Sequence, residues 1–145
     1  MTTADHLRLI DGMRTEEFPP ERVASACGVS GPGYHTALLP DADRRDEGDE
    51  ADRLARRAHR VAAHEALLTL LTLRWGEPQP VSLWSAQERM AAGEAIAEPW
   101  AGPVASCEHL LLWRTEDRWT ALVRYPDDDG PDGELGVVVT VVDPP

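Results

Sequence analysis

The chain has 145 residues and a formal net charge of −12, with 14 basic residues against 26 acidic ones. That length fits one domain with a core large enough to stand without disulfides. The acidic balance disfavours direct binding to bulk nucleic acid, which needs a dominant positive surface.

Thr3 to Arg14 reads as a short amphipathic helix with Leu7, Ile10 and Met13 facing inward, broken by Pro19-Pro20. Glu21 to Ser30 is similar to the first helix and turn of a helix-turn-helix, the V-A-x-x-x-G-V-S pattern of bacterial repressors. The recognition helix should follow, but Gly31-Pro32-Gly33 stands at its start. The expectation here is a short helix ending at Gly28 with a Gly-Pro-Gly turn after it. Tyr34 to Leu39 reads as a short strand or extended packing segment, and 41–48 as a flexible acidic loop.

Asp49 to Gly76 carries the strongest helix signal in the chain. Asp49 is placed to cap it, Glu50 and Asp52 suit its first turn, Arg74 its last, and Gly76 and Pro78 end it. About 26 residues at 1.5 Å each span roughly 39 Å. Arg53, Arg56, Arg57 and Arg60 recur at helical spacing and form a basic stripe. It is a candidate anion-binding face, and its plainer reading is a solvated face paired with nearby acids. The half that follows, from Leu67 to Trp75, is apolar nearly all round and calls for burial.

Beyond the helix, Gln79 to Trp84 suggests a strand, and Ser85 to Glu88 a capping box opening a short helix through Met90. Glu98 to Pro103 reads as a loop. His109 to Arg114 and Arg118 to Tyr125 flank a turn as a β-hairpin. Leu135 to Val142 is a valine-dominated strand suited to the centre of a sheet. The expected fold is α+β: an antiparallel sheet of about four strands packed on a long central helix, with short N-terminal helices, all in a single domain.

The constellations with chemical potential are incomplete. His64-Glu65 opens an H-E-x-x-H pattern whose second His position is Leu68. Asp127 to Glu134 does not fit the register of a calcium loop from either Asp127 or Asp128. Cys107 and His109 would share a face on a strand, but nothing marks an activated thiol. There is no phosphate loop and no dinucleotide fingerprint. The expectation is no catalytic residue, no metal and no cofactor. Without a long apolar run or an apolar signal core, and with two cysteines in no disulfide or metal pattern, a cytoplasmic protein off the membrane is expected. The absence of Lys and Asn, with a single Phe, reflects GC-rich codons and points to a high-GC bacterium.

Charge is unevenly placed. Residues 53–76 are net basic, and acidic segments lie on either side, at 41–52 and 126–145. A basic protein partner suits such a chain. Candidate partner-binding residues are Asp127, Asp128, Asp129, Asp132 and Glu134, with Trp100 as an anchor from its Pro-flanked loop. In size, charge and element order the whole chain resembles the small acidic immunity proteins of bacterial toxin systems. The likeness extends loosely to Arg74-Trp75-Gly76-Glu77-Pro78 and to Leu112 through Trp119. It implies a non-catalytic module that occludes the active site of a basic partner. Two other readings stand beside it: a small-molecule binder or enzyme with a pocket between the long helix and the sheet, and a structural or adaptor subunit of an assembly.

Overall fold

A strand with apolar side chains in both of its alternating sets needs cover on both faces. In the computed structural model, which describes residues 2–39, 49–127 and 133–145, Leu135–Thr140 is such a strand, with all six residues buried. It is β7, the middle member of a seven-stranded sheet. The other strands are β1 (Val23–Ala24), β2 (Gly28–Gly31), β3 (Tyr34–Leu38), β4 (Gln79–Ser82), β5 (His109–Thr115) and β6 (Arg118–Arg124). Their order across the sheet is β1-β2-β3-β7-β6-β5-β4, and every neighbouring pair is antiparallel.

Among the described residues four helices cover the sheet: α1 (Thr3–Thr15), α2 (Glu50–Trp75), α3 (Trp84–Ala91) and α4 (Ala101–Ser106). On one face, Leu67 and Leu71 of α2 and Ile10 and Met13 of α1 pack on Trp113, Leu122, Leu135, Val137 and Val139. On the other, Leu83, Ala86, Trp100 and Val104, from α3, α4 and the residues preceding them, pack on Leu110, Leu112, Ala121, Val123 and Val138. Alternation along β7 divides its side chains between these two cores.

The α+β class therefore stands, but the architecture expected from the sequence is corrected. The sheet has seven strands rather than about four. It is the sheet, and not α2, that occupies the centre. The extra strands come from residues 23–31, where a short helix ending at Gly28 and then a turn were expected. Val23 pairs with Ser30, Val29 with Thr36 and Ser30 with His35. The Ala-rich stretch has helical propensity, and sheet pairing overrides it. Close approach also requires glycine here: a Cβ on Gly28 would lie 1.9 Å from the Thr36 carbonyl oxygen, and one on Gly31 would meet the Tyr34 ring. Pro32-Gly33, with Gly33 at φ 83, does form the expected turn, and it joins two strands.

The ends of α2 are as the sequence indicates. The Asp49 side chain accepts the Asp52 amide at 2.9 Å, and Gly76 follows the helix at φ 87. The inward row of α2 runs through Arg60, His64, Leu67, Leu71 and Trp75, and its outward row through Ala55, Ala58, Ala62, Ala66, Thr69 and Leu73. Two expectations further along change. Ser85 does not cap α3, whose N-cap is Leu83 without a side-chain bond. The stretch expected as a loop contains α4.

The two rows of α2 differ sharply in what truncation should cost. Leu67→Ala should destabilise the chain by about 3 kcal/mol, since it empties a fully buried position. Leu73→Ala, at a position 78% exposed, should change stability by less than about 0.5 kcal/mol. Denaturant titration of the two variants checks the orientation of the helix.

Candidate partner-binding surface

The basic stripe of α2 turns towards the molecule's own acids. Arg53 is exposed, while Arg56, Arg57 and Arg60 are half-buried. Arg60 pairs with Asp127, at the end of β6, at 3.0 Å. Arg56 and Arg57 are likewise engaged within the chain. Asp127 and Glu134, expected to face a partner, flank the β6–β7 connection; Asp128, Asp129 and Asp132 lie outside the described residues, as does the acidic loop 41–48. The candidate anion face and the candidate partner face thus meet at the Arg60–Asp127 ion pair. Such half-exposed pairs contribute little net stability, about 0–1 kcal/mol. Their effect is to orient the charges.

Other arginines are also held within the chain. Arg74 pairs with Asp11, Arg89 with Glu94 and Arg8 with Asp5. Three more lie over aromatic rings: Arg14 on Trp75 at 4.5 Å, Arg114 on Trp119 at 4.6 Å and Arg118 on Phe18 at 4.1 Å. Apart from Arg8–Asp5 and Arg89–Glu94, which are local in the chain, these pairs join positions far apart in the sequence or on opposite sides of a turn and were not visible in it.

The tryptophans sort by the same contacts. Trp100, expected as a surface anchor, is 1% exposed, and its indole N–H donates to the Val142 carbonyl at 3.1 Å. It offers no face to a partner. The chain turns into α4 at Ala101, and Trp100 closes the core beneath that turn. Trp113 is buried and donates to the Gly76 carbonyl. Trp75 and Trp119 are half-buried under their arginines. Trp84 is different: it is 68% exposed.

Its position follows from local geometry. The Leu83 amide donates to the Glu108 carbonyl at 2.9 Å, which ties the start of α3 to the chain entering β5. Leu83 and Ala86 enter the core, so Trp84 between them points outward. With Ser82, Gln87, Glu108 and His109 it lines an open groove of about 490 Å³ at the β4 edge of the sheet. Gln87 is fixed there by donating to the Val104 and Cys107 carbonyls at 3.1 and 2.6 Å. A second groove, of about 510 Å³, lies over β2, β3 and β7 and is lined by Val29, Thr36, Leu38 and Tyr125. Neither groove lies between α2 and the sheet, where Leu67, Leu71, Trp113 and Leu122 fill the space.

The cysteine and histidine side chains do not come together as a site. Cys107 packs into the core on the α3–α4 side, while His109 is exposed on the β4–β5 edge. The chain changes course after α4, so the strand-like alternation that would bring the two together does not extend back to Cys107. Burial pushes the Cys107 thiol up from 9.0 to about 11. Tyr125 is pushed up from 10.0 to about 12, first by burial and then by the charge of Cys107 when ionised. A thiol in that state is a poor nucleophile at neutral pH. His35 accepts or donates at Ser30 Oγ (2.7 Å) and reaches the Glu16 carbonyl at 3.2 Å, with Phe18 stacked on its ring at 4.8 Å. These contacts fix the end of α1 to the sheet. Among the described residues no group of three or more His, Cys, Asp or Glu is placed to hold a metal, and no helix is long and apolar enough to cross a membrane.

Both raised groups hold their protons more tightly in the folded chain than in the unfolded one. Their contribution to stability is therefore complete below pH 9 and declines as pH rises, through 9 to about 11 for Cys107 and through 10 to about 12 for Tyr125. The melting temperature should fall over that range, and Cys107→Ala should remove the lower part of the fall. At neutral pH, iodoacetamide should label exposed Cys27 and leave Cys107 unmodified until the chain unfolds.

Compared with protein families, with curated proteins and with solved structures, the chain matches none.

Proposed function

We propose that the chain is a non-catalytic binding module that caps a basic protein partner, in the manner of the immunity proteins it resembles. The observation that carries this reading is the internal commitment of its arginines. Arg8, Arg60, Arg74 and Arg89 are held by the chain's own acids, and Arg14, Arg114 and Arg118 by its own rings. With a net charge of −12, the surplus acid is left to the surface, where it attracts a partner of opposite sign and speeds encounter. Asp127 and Glu134, with Asp128, Asp129 and Asp132 beside them in sequence, steer the approach, and Arg60 holds Asp127 in place. The test is capture by the tagged chain from a lysate of its source organism, at low and at high salt. A basic protein recovered near one-to-one and released by salt is the expected result. Recovery of nothing beyond an untagged control overturns the reading.

The outward face of α2 favours a second reading, a subunit that self-associates within a larger assembly. That face is rich in alanine from Ala55 to Ala66 and carries the exposed Leu70 and Leu73, with Glu65 at its margin. Sedimentation at micromolar concentration should then show a dimer that Leu73→Glu returns to monomer. A monomer at every concentration removes this reading.

A further inference from the structure

The chain covers three of its half-exposed rings with its own guanidinium groups: Arg14 lies over Trp75, Arg114 over Trp119 and Arg118 over Phe18. Trp84 is the most exposed of the five tryptophans, and among the described residues no arginine covers it. Glu108 lines the same groove, and among the described residues its carboxylate has no cation or donor. An exposed ring face and an unpaired carboxylate thus line one groove, and together they offer what a guanidinium binds. Such a group can lie over an indole and pair with a carboxylate at once, because it is planar and weakly hydrated.

We infer that the groove formed by Trp84 and Glu108 binds an arginine side chain of a protein partner, its guanidinium stacked on the Trp84 indole and paired with the Glu108 carboxylate. This rests on the reading of the chain as a binder of a basic protein, and it names the residue recognised. Three features of the groove fit that occupant. It is open enough to admit a side chain presented on another surface. Gln87 is locked by two carbonyls, so the wall beneath is rigid and loses little freedom on binding. The groove also sits at the sheet edge beside β4, whose Pro80 lacks an amide to donate, so side-chain recognition rather than strand addition suits this edge.

The test uses the full chain, labelled with ¹⁵N, and N-acetyl-arginine N-methylamide as the probe. Saturable shifts should centre on the Trp84 indole N–H and the His109 amide, at millimolar probe. Read at His109, Trp84→Ala should weaken binding about tenfold and Glu108→Gln about threefold. Both positions are exposed, and unchanged far-ultraviolet circular dichroism would verify the fold of each variant. The citrulline counterpart, which keeps the shape and lacks the charge, should leave Trp84 unshifted. Shifts spread evenly over the acidic surface, equal shifts with citrulline, or affinity unchanged in Trp84→Ala would each overturn the inference. Equal affinity for the lysine counterpart would overturn the guanidinium assignment. A basic partner captured as well by Trp84→Ala as by the unsubstituted chain would overturn the groove and leave the capping reading standing. Arginine binding at Trp84 with no partner captured would do the reverse.

Discussion

Strand β7 is the constraint on which the rest of the structure depends. Its Leu135, Val137 and Val139 enter one core, and Val138 enters the other. A strand so apolar on both sides is stable only at the middle of a sheet with helices on both faces. That requirement recruits β3 on one side and β6 on the other. It also explains why two short helices, α3 and α4, are needed opposite α1 and α2. Gly136 adds a local demand: a Cβ there would meet the Tyr125 ring at 2.8 Å, so the ring lies directly against the β7 backbone. Tyr125 in turn packs with the Cys107 core, which accounts for the raised ionisation of both groups.

A second theme is how the helix ends are satisfied. The last carbonyls of a helix have no intrahelical donor. Here the sheet supplies donors from a distance. Trp113 donates to the Gly76 carbonyl after α2, and Arg118 donates to the Met13 and Glu16 carbonyls at the end of α1. From α3, Gln87 does the same for the end of α4. Side chains that a scan for chemistry would single out are engaged in docking layers to one another. The same holds for His35, whose Ser30 neighbour gives it the outward form of a catalytic pair while its role is to hold Glu16.

What the sequence made legible was local. The caps of α2, the Pro-Gly turn at 32–33, the hairpin around Glu116 and the valine strand all follow from short-range chemistry, and each lies close to where the residues place it. What escaped was decided by partners distant in the chain. Residues 23–31 become strands because β3 is beside them, against an Ala-rich propensity for helix. Trp100 looks like a loop residue between two prolines, and only the fold shows Val142 accepting its N–H. Trp84 looks like the end of a strand, and only the tie between Leu83 and Glu108 turns it outward. The Arg stripe was visible as a stripe, but its direction was not. Periodicity shows that residues share a face without saying which face is inward, and here apolar and basic residues share the inward one.

That reversal on α2 bears on function. A helix usually turns its charges to water and its apolar row to the core. In α2 the inward row begins with Arg60 and His64 before reaching Leu67 and Leu71, and the outward row is alanine and leucine. Inward arginines are tolerable because acids meet them, as Asp127 meets Arg60. The Arg60–Asp127 pair ties this face of the helix to the acidic end of the β6–β7 connection. On the proposed reading, acidic charge would draw in a basic partner, but diffuse charge confers little selectivity, since any basic protein is drawn to it. Selectivity requires a contact with defined geometry. In the proposal made here, that contact falls to the groove lined by Trp84 and Glu108, where Gln87 is held by two carbonyls.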